Sequence, residues 1–176
     1  PTDISNGTIL VMEKFLDYTL DPSSEAPASL NNLTYQWLHS EDYSMLKYSV
    51  GHFADFYRGL KNIAELLEGV ERPPAIQLYI DRINGILREE PMQRLADSEK
   101  GKKFSNRQNL YFGYHLRGRY KSNTLELIDI YSRLDAWYSM AVAVKTYGLS
   151  FPEFVEQDTA LVDAKGLYHI LLSKPV

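Results

Sequence analysis

Two long stretches of the chain carry apolar residues at helical spacing. In the first stretch these positions are Leu46, Val50, Phe53, Tyr57, Leu60, Ala64 and Leu67. In the second stretch they are Leu127, Ile130, Leu134, Trp137, Ala141, Val144 and Gly148. Steps of three and four residues place all members of such a set on one face of a helix. We therefore predict two long helices, around 41–69 and 121–148, that pack antiparallel because each apolar face needs a partner.

Shorter segments also have helical patterns, bounded by prolines or polar clusters. We predict helices at 8–18, at about 28–38 and at 74–96. The polar and charged segment 97–107 is predicted to be an exposed loop. The aromatic-rich segment 104–120 fits either a helix or a strand, and we favour the helix.

The pattern changes after the second long helix. Residues 151–154 are typical of a turn, and segments 160–163 and 167–172 are typical of short strands. Because two strands make no stable sheet on their own, we interpret them as the start of a larger sheet in a longer protein. The predicted fold is mainly α, a helical bundle with two long antiparallel helices and a small β element at the C-terminus. We divide it into a helical domain, 1–157, and a short β segment, 158–176.

The net charge of −4 is distributed unevenly along the chain. Residues 72–121 contain eleven Lys and Arg against five Asp and Glu, a net charge of +6 that leaves −10 for the remainder. A mildly acidic protein with a basic middle is not typical of a dedicated nucleic-acid-binding protein. The charge distribution nevertheless leaves room for a local patch that faces phosphates.

The sequence lacks the features of several functional classes. It contains no Cys, which excludes disulfides and Cys-based zinc sites and favours a reducing compartment. No apolar run approaches the roughly 20 residues of a membrane span, so we predict a cytoplasmic protein without a membrane segment. A Gly-rich phosphate loop, His-Glu-x-x-His and Gly-x-Ser-x-Gly are all missing, and the four His lie far apart. We predict that this chain has no catalytic activity, no cofactor and no metal site of its own.

Residues 131–176 carry a series of short motifs, made up of Leu134, Asp135, Ser139, Ala141, Tyr147, Gly148, Pro152, Glu153, Leu161, Val162, Asp163, Gly166 and His169. The order and spacing of these motifs resemble those of the MutS family of DNA mismatch-repair ATPases. In that family a helix returns to the core, a Tyr and an Arg-Pro-Glu turn follow, and a strand with Gly-Arg-His-Pro opens the ATPase domain. Here residues 167–170 read Leu-Tyr-His-Ile instead, and no mismatch-reading Phe-x-Glu is present. These departures indicate a divergent, shorter branch.

The resemblance implies a structural and allosteric role. The chain would be the helical core and lever segment of a MutS-like protein, ending at the start of the ATPase domain. The full-length protein would bind ATP and Mg²⁺, contact DNA and act as a homodimer. The alternative is a helical protein-protein interaction module that is unrelated to DNA.

Two groups of basic residues are candidates for contact with nucleic acid. The first group, on the predicted loop, consists of Lys100, Lys102, Lys103 and Arg107. Clustered cations can bind phosphates and release counterions, although the same residues also suit an ordinary solvated loop. The second group, next to Tyr111, Phe112 and Tyr114, consists of Arg117, Arg119 and Lys121. Basic and aromatic side chains together can bind nucleic acid, but aromatic residues in a helical domain more often belong to the core.

Overall fold

The computed structural model describes residues 4–18, 40–156, 158–167 and 169. Within these ranges the regular structure consists of α-helices, and the prediction of a mainly α fold is confirmed. In chain order the helices are α1 (Asn6–Asp17), α2 (Ser40–Leu66), α3 (Pro74–Leu87), α4 (Glu90–Ala96), α5 (Asn106–Arg117) and α6 (Lys121–Tyr147). The helix predicted at 28–38 lies outside the described residues.

Helix α2 contacts α1, α3, α4 and α5 and lies at the centre of their packing. Its predicted apolar face is confirmed, since every position of that face from Leu46 to Ala64 is at most 5% exposed. Helix α1 packs on α2 through Met12 and Phe15, and the ring of Phe15 meets that of Phe53 edge to face at 5.5 Å. Full burial of such a side chain contributes about 1.5–3 kcal/mol, so this face of α2 is a main source of the stability of the core.

The segment predicted as one helix, 74–96, forms two helices. Helix α3 ends at Leu87 and α4 begins three residues later. Pro91 accounts for the break, because it has no N–H to donate and its ring would clash with the carbonyl of Leu87 in a continuous helix. The prediction of a single helix is therefore wrong. After the break, α4 buries Met92 and Leu95 and packs extensively against α2.

The ambiguous segment 104–120 is helical, as we favoured. The Oγ of Ser105 accepts a hydrogen bond from the backbone N–H of Gln108 at 3.3 Å, and the side chain of Gln108 accepts one from the N–H of Ser105 at 2.9 Å. This capping box satisfies two donors at the start of α5. Further along α5, the side chains of Phe112 and Leu116 are buried in the core.

The first turns of α6 complete this core with Thr124, Leu127, Ile128, Ile130 and Tyr131, all of which are buried. They reach α2 through long side chains: the hydroxyls of Tyr57 and Thr124 lie 2.8 Å apart, and the rings of Phe56 and Tyr131 lie 6.0 Å apart. The extensive antiparallel pairing that we predicted for the long helices is not observed in the first unit, where α2 packs mainly on α1 and α4.

The chain divides into two compact units at a boundary inside α6, between Ser132 and Arg133. The first unit holds the core described above. The second unit begins with the remaining turns of α6, which end at Gly148 as predicted. Gly148 has a φ of +62°, and the N–H of Leu149 donates to the carbonyl of Val144 at 3.1 Å, which closes the helix. Our separate division of the chain at residue 157 stays a prediction.

The β element predicted at the C-terminus is not observed in the described part of the chain. Residues 160–163 are exposed and form no strand. A strand needs a hydrogen-bonded neighbour, and most of the predicted second strand, 167–172, lies outside the described residues. The described helices include none with the length and apolar character that crossing a membrane requires.

Candidate nucleic-acid interface

The loop that connects α4 and α5, residues 97–105, is held at its first end by α2. The guanidinium of Arg58 donates from Nε to the carbonyl of Ser98 at 2.9 Å and from Nη2 to the carbonyl of Glu99 at 3.3 Å. Next to it, Lys61 pairs with Asp97 at 2.8 Å, and this hydrogen bond raises the pKa of Lys61. Two basic side chains of α2 therefore fix the path of the backbone where the loop begins.

The second end of the loop is held by α5. Phe104 is buried, and its ring meets that of Phe112 edge to face at 5.2 Å. The side-chain amide of Asn109, itself 1% exposed, donates to the carbonyl of Phe104 at 3.1 Å. The capping box at Ser105 follows directly. The loop is thus a short bridge between two fixed points, which limits its conformational freedom.

All four cations that were predicted for the loop are exposed to solvent. Lys100, Lys102 and Lys103 are exposed, and Arg107 is exposed in the first turn of α5. The turn between them is made by Gly101, whose φ of +75° suits glycine, with the N–H of Lys102 donating to the carbonyl of Glu99 at 3.1 Å. The N-terminus of α5 adds partial positive charge from its backbone N–H groups to the same region.

An open depression of about 330 Å³ lies beside Arg107 and is lined by Arg94, Arg107, Gln108 and Tyr111. The guanidinium of Arg94 lies 5.5 Å from the ring centre of Tyr111 and 5.3 Å from that of Phe112. Cation-π contacts of this kind contribute about 0.5–1 kcal/mol at exposed sites. Arg94 is not among the residues predicted from the sequence, although its position four residues after Glu90 on one helix indicates an ion pair between them.

Glu90 binds two of the side chains that line this depression, Tyr111 and Arg94. It accepts a hydrogen bond from the hydroxyl of Tyr111 and pairs with Arg94 at 2.9 Å. Burial, reinforced by the Glu90 carboxylate, raises the pKa of Tyr111 to about 12, so the phenol stays protonated at neutral pH. The hydrogen bond from Tyr111 in turn lowers the pKa of Glu90. Tyr111 therefore stays protonated and Glu90 stays ionised across the neutral range.

The second group of predicted cations lies at the other end of α5, about 17 Å along the helix from its start. Lys121 donates from Nζ to the carbonyl of Leu16 at 2.7 Å and lies 3.4 Å from a carboxylate oxygen of Asp17. Arg117 is 5.2 Å from the ring centre of Phe15. These two residues tie α1 to the rest of the core. Arg119 is exposed, with its guanidinium 5.3 Å from the ring centre of Tyr120.

The aromatic residues beside this second group divide between the core and the surface. Phe112 is buried, whereas Tyr114 is 44% exposed. The basic and aromatic residues therefore do not form one continuous surface, and the first group carries the stronger case for phosphate contact. Within the described residues no cluster of three or more His, Asp or Glu is arranged to hold a metal ion.

Comparison of the chain with known protein families, curated proteins and solved structures finds no match. The resemblance of residues 131–176 to the MutS family therefore stays a prediction.

Proposed function

We propose that the chain is a non-catalytic helical module that contacts the phosphate backbone of DNA through the basic loop, defined as Lys100, Lys102, Lys103 and Arg107. The observation that supports this proposal best is the anchoring of the loop. Exposed lysines on a mobile loop are ordinary, but here both ends of the loop are fixed by side chains of the core. A cationic surface that is already ordered loses less conformational entropy when it binds.

The expected binding is independent of sequence. Lysine and arginine side chains that meet phosphates position a protein on the duplex without reading its bases. In the first unit the exposed cations Lys100, Lys102, Lys103 and Arg107 lie close together in sequence at the start of α5, and the acidic remainder of the chain opposes a closer approach. The interaction is therefore weak, electrostatic and sensitive to salt.

The MutS resemblance supplies a wider setting for this contact. Helix α6 begins in the first unit and continues through the boundary at Ser132 into the second unit as one uninterrupted helix. In the proposed setting this helix links the DNA-contacting unit mechanically to an ATPase domain elsewhere in a longer, dimeric protein. ATP and Mg²⁺ would bind to that domain.

The proposal is tested by fluorescence anisotropy with a labelled DNA duplex at 50 and 200 mM salt. If the four cations each neutralise a phosphate, the logarithm of the binding constant falls with the logarithm of salt at a slope of roughly −3 to −4. That slope corresponds to a loss of affinity of about 100-fold over this range. Two unrelated duplex sequences should bind equally.

Charge reversal identifies the surface. In the test variant, all four cations of the basic loop are replaced by Glu, which should abolish binding without a change in the circular dichroism spectrum. The matched control reverses four exposed cations elsewhere: Lys14, Lys47, Arg88 and Lys165. Because both variants change the net charge equally, only a specific surface separates them. Equal loss in both variants, or no binding by the wild type at 50 mM salt, would overturn the proposal.

One observation supports a second candidate function, a protein-protein interaction module. The second unit exposes large apolar side chains, with Phe154 at 94% and Val162 at 92%. Apolar surface of this kind is typical of a protein interface. This candidate is favoured if the wild-type chain shows no salt-dependent binding to DNA but associates with a polypeptide through residues 133–167.

A further inference from the structure

The part of α6 that follows Ser132 exposes large apolar side chains on two opposite faces. Tyr138, Met140, Val142 and Tyr147 all belong to this part of the helix and are between 45% and 70% exposed. The helix nevertheless continues for about four turns after Ser132, over residues 133–147. Large apolar side chains that are exposed together on one element are typical of an interaction surface. This part of α6 is therefore a candidate protein interface.

One face of this part of the helix has a symmetric arrangement of residues. Asp135, Tyr138, Val142 and Lys145 are separated by three, four and three positions, so they lie on the same face. All four are exposed. From either end, the order along the face is a charged residue, a large apolar residue, a second large apolar residue and a charged residue of opposite sign. The centre of this arrangement lies at the level of position 140.

We infer that this face, which we call the paired face, binds a second copy of the same chain. Two α6 helices run antiparallel about a two-fold axis at the level of position 140. In this register Asp135 of each copy lies opposite Lys145 of the other copy, and Tyr138 lies opposite Val142. A two-fold interface requires such self-complementarity, because every contact in it occurs twice.

The charges favour a second copy over an unrelated partner. Within one chain Asp135 and Lys145 are about 15 Å apart along the helix, too far for an ion pair. Antiparallel pairing brings each of them to an opposite charge, and it does so at both ends of the face at once. Between them, Tyr138 and Val142 exclude water at the centre. Parallel pairing would instead place each charge opposite its own kind.

The dimer is expected to be weak. Three to four turns of paired helix bury less than a standard protein interface of about 1,600 Å². Association should therefore depend on protein concentration, and at high salt the ionic part of the interface weakens. The inference does not rest on the proposed DNA contact, since the paired face and the basic loop share no residue.

The decisive experiment is sedimentation velocity over a series of concentrations, with three samples compared to the wild type. Asp135→Lys makes the paired face positive at both ends, and Lys145→Asp makes it negative at both ends. Each variant alone should dimerise about tenfold more weakly than the wild type, because two ion pairs become two repulsive contacts. An equimolar mixture of the two variants restores both pairs and should associate at least as well as the wild type.

A cross-linking experiment tests the register with less dependence on affinity. The chain has no Cys, so single cysteines can be introduced without interference. A mixture of Tyr138→Cys and Val142→Cys chains should form a disulfide-linked dimer under mild oxidation, and more of it than either variant alone. Met140→Cys is the matched control: it lies at the same level of the helix but on the other side, and should not cross-link.

A wild-type chain that remains monomeric at concentrations up to about 1 mM would overturn the inference. Dimerisation that is unchanged in both charge variants would also overturn it, because the interface would then lie elsewhere. The mixture is the strictest arm, since failure of the two variants to associate with each other contradicts antiparallel pairing directly. The variant with a reversed basic loop should dimerise like the wild type, which separates this inference from the proposed DNA contact.

Discussion

Replacing Thr124 by valine leaves the hydroxyl of Tyr57 buried without a hydrogen-bond partner. In the wild type these hydroxyls lie 2.8 Å apart, and both side chains are 0% exposed. An unsatisfied buried polar group costs about 1–3 kcal/mol. The hydroxyl of Thr124 also donates to the carbonyl of Tyr120 at 2.9 Å, but that carbonyl keeps the backbone N–H of residue 124 at 3.0 Å. The expected cost of Thr124→Val therefore comes mainly from Tyr57.

The reverse substitution is milder. In Tyr57→Phe the hydroxyl of Thr124 keeps the carbonyl of Tyr120, so no donor is left unsatisfied, and the expected cost is about 0.5–1.5 kcal/mol. The double variant removes both hydroxyls. Adding Tyr57→Phe to Thr124→Val should therefore raise the free energy of unfolding, by about 1 kcal/mol, although the same change lowers it in the wild type.

The four chains form a double-mutant cycle that is measured by urea unfolding at neutral pH, followed by far-UV circular dichroism. Costs that simply add would refute the reasoning, because they would mean that the two hydroxyls do not interact.

A pH series adds an independent check. Burial raises the pKa of Tyr57 well above its usual value. Below about pH 10 Tyr57 is protonated in both the folded and the unfolded chain, so its full contribution to the free energy of unfolding is present. As the pH rises above about 10 the unfolded chain ionises first and this contribution is lost. The free energies of unfolding of the wild type and Tyr57→Phe should therefore converge at alkaline pH.

Three further predictions concern side chains nearer the surface. Lys121→Met should lower the free energy of unfolding by about 1 kcal/mol, because it frees the carbonyl at the end of α1, and urea unfolding measures the loss. Tyr111→Phe should raise the pKa of Glu90 towards its usual value, which a carboxyl NMR titration detects. Arg82→Ala should lower the free energy of unfolding only slightly despite the two hydrogen bonds to Glu126, since both side chains are at least 39% exposed, and the loss should shrink at high salt.

Much of the helical core could be predicted from the sequence because its pattern is local. The apolar face of α2 repeats through an otherwise polar stretch, so the buried positions from Leu46 to Ala64 follow from spacing alone. Pro91 shows where the same reasoning failed. The apolar spacing continues through 74–96, but one missing N–H and one ring clash outweigh it and divide the helix.

The candidate site could be predicted only in part. The exposure of the basic loop follows from its polar composition, whereas its anchoring depends on Arg58, a residue about forty positions away in sequence. Lys121 is a stronger case, since its partner, the carbonyl of Leu16, is 105 residues distant. A hydrogen bond between a lysine and a remote backbone carbonyl leaves no trace in local spacing. Composition therefore indicates which cations exist but not which of them already have partners.

The continuity of α6 has a consequence for how a partner would meet it. An isolated helical peptide of about 15 residues is marginal in water, because the first turn must be nucleated at a high entropic cost. Residues 133–147 avoid that step, since their helix grows from turns that Leu127 and Ile130 already hold in the core. Each further residue then only propagates an existing helix. A second chain arriving at the paired face therefore meets a preformed rod, and the free energy of contact goes to association instead of folding.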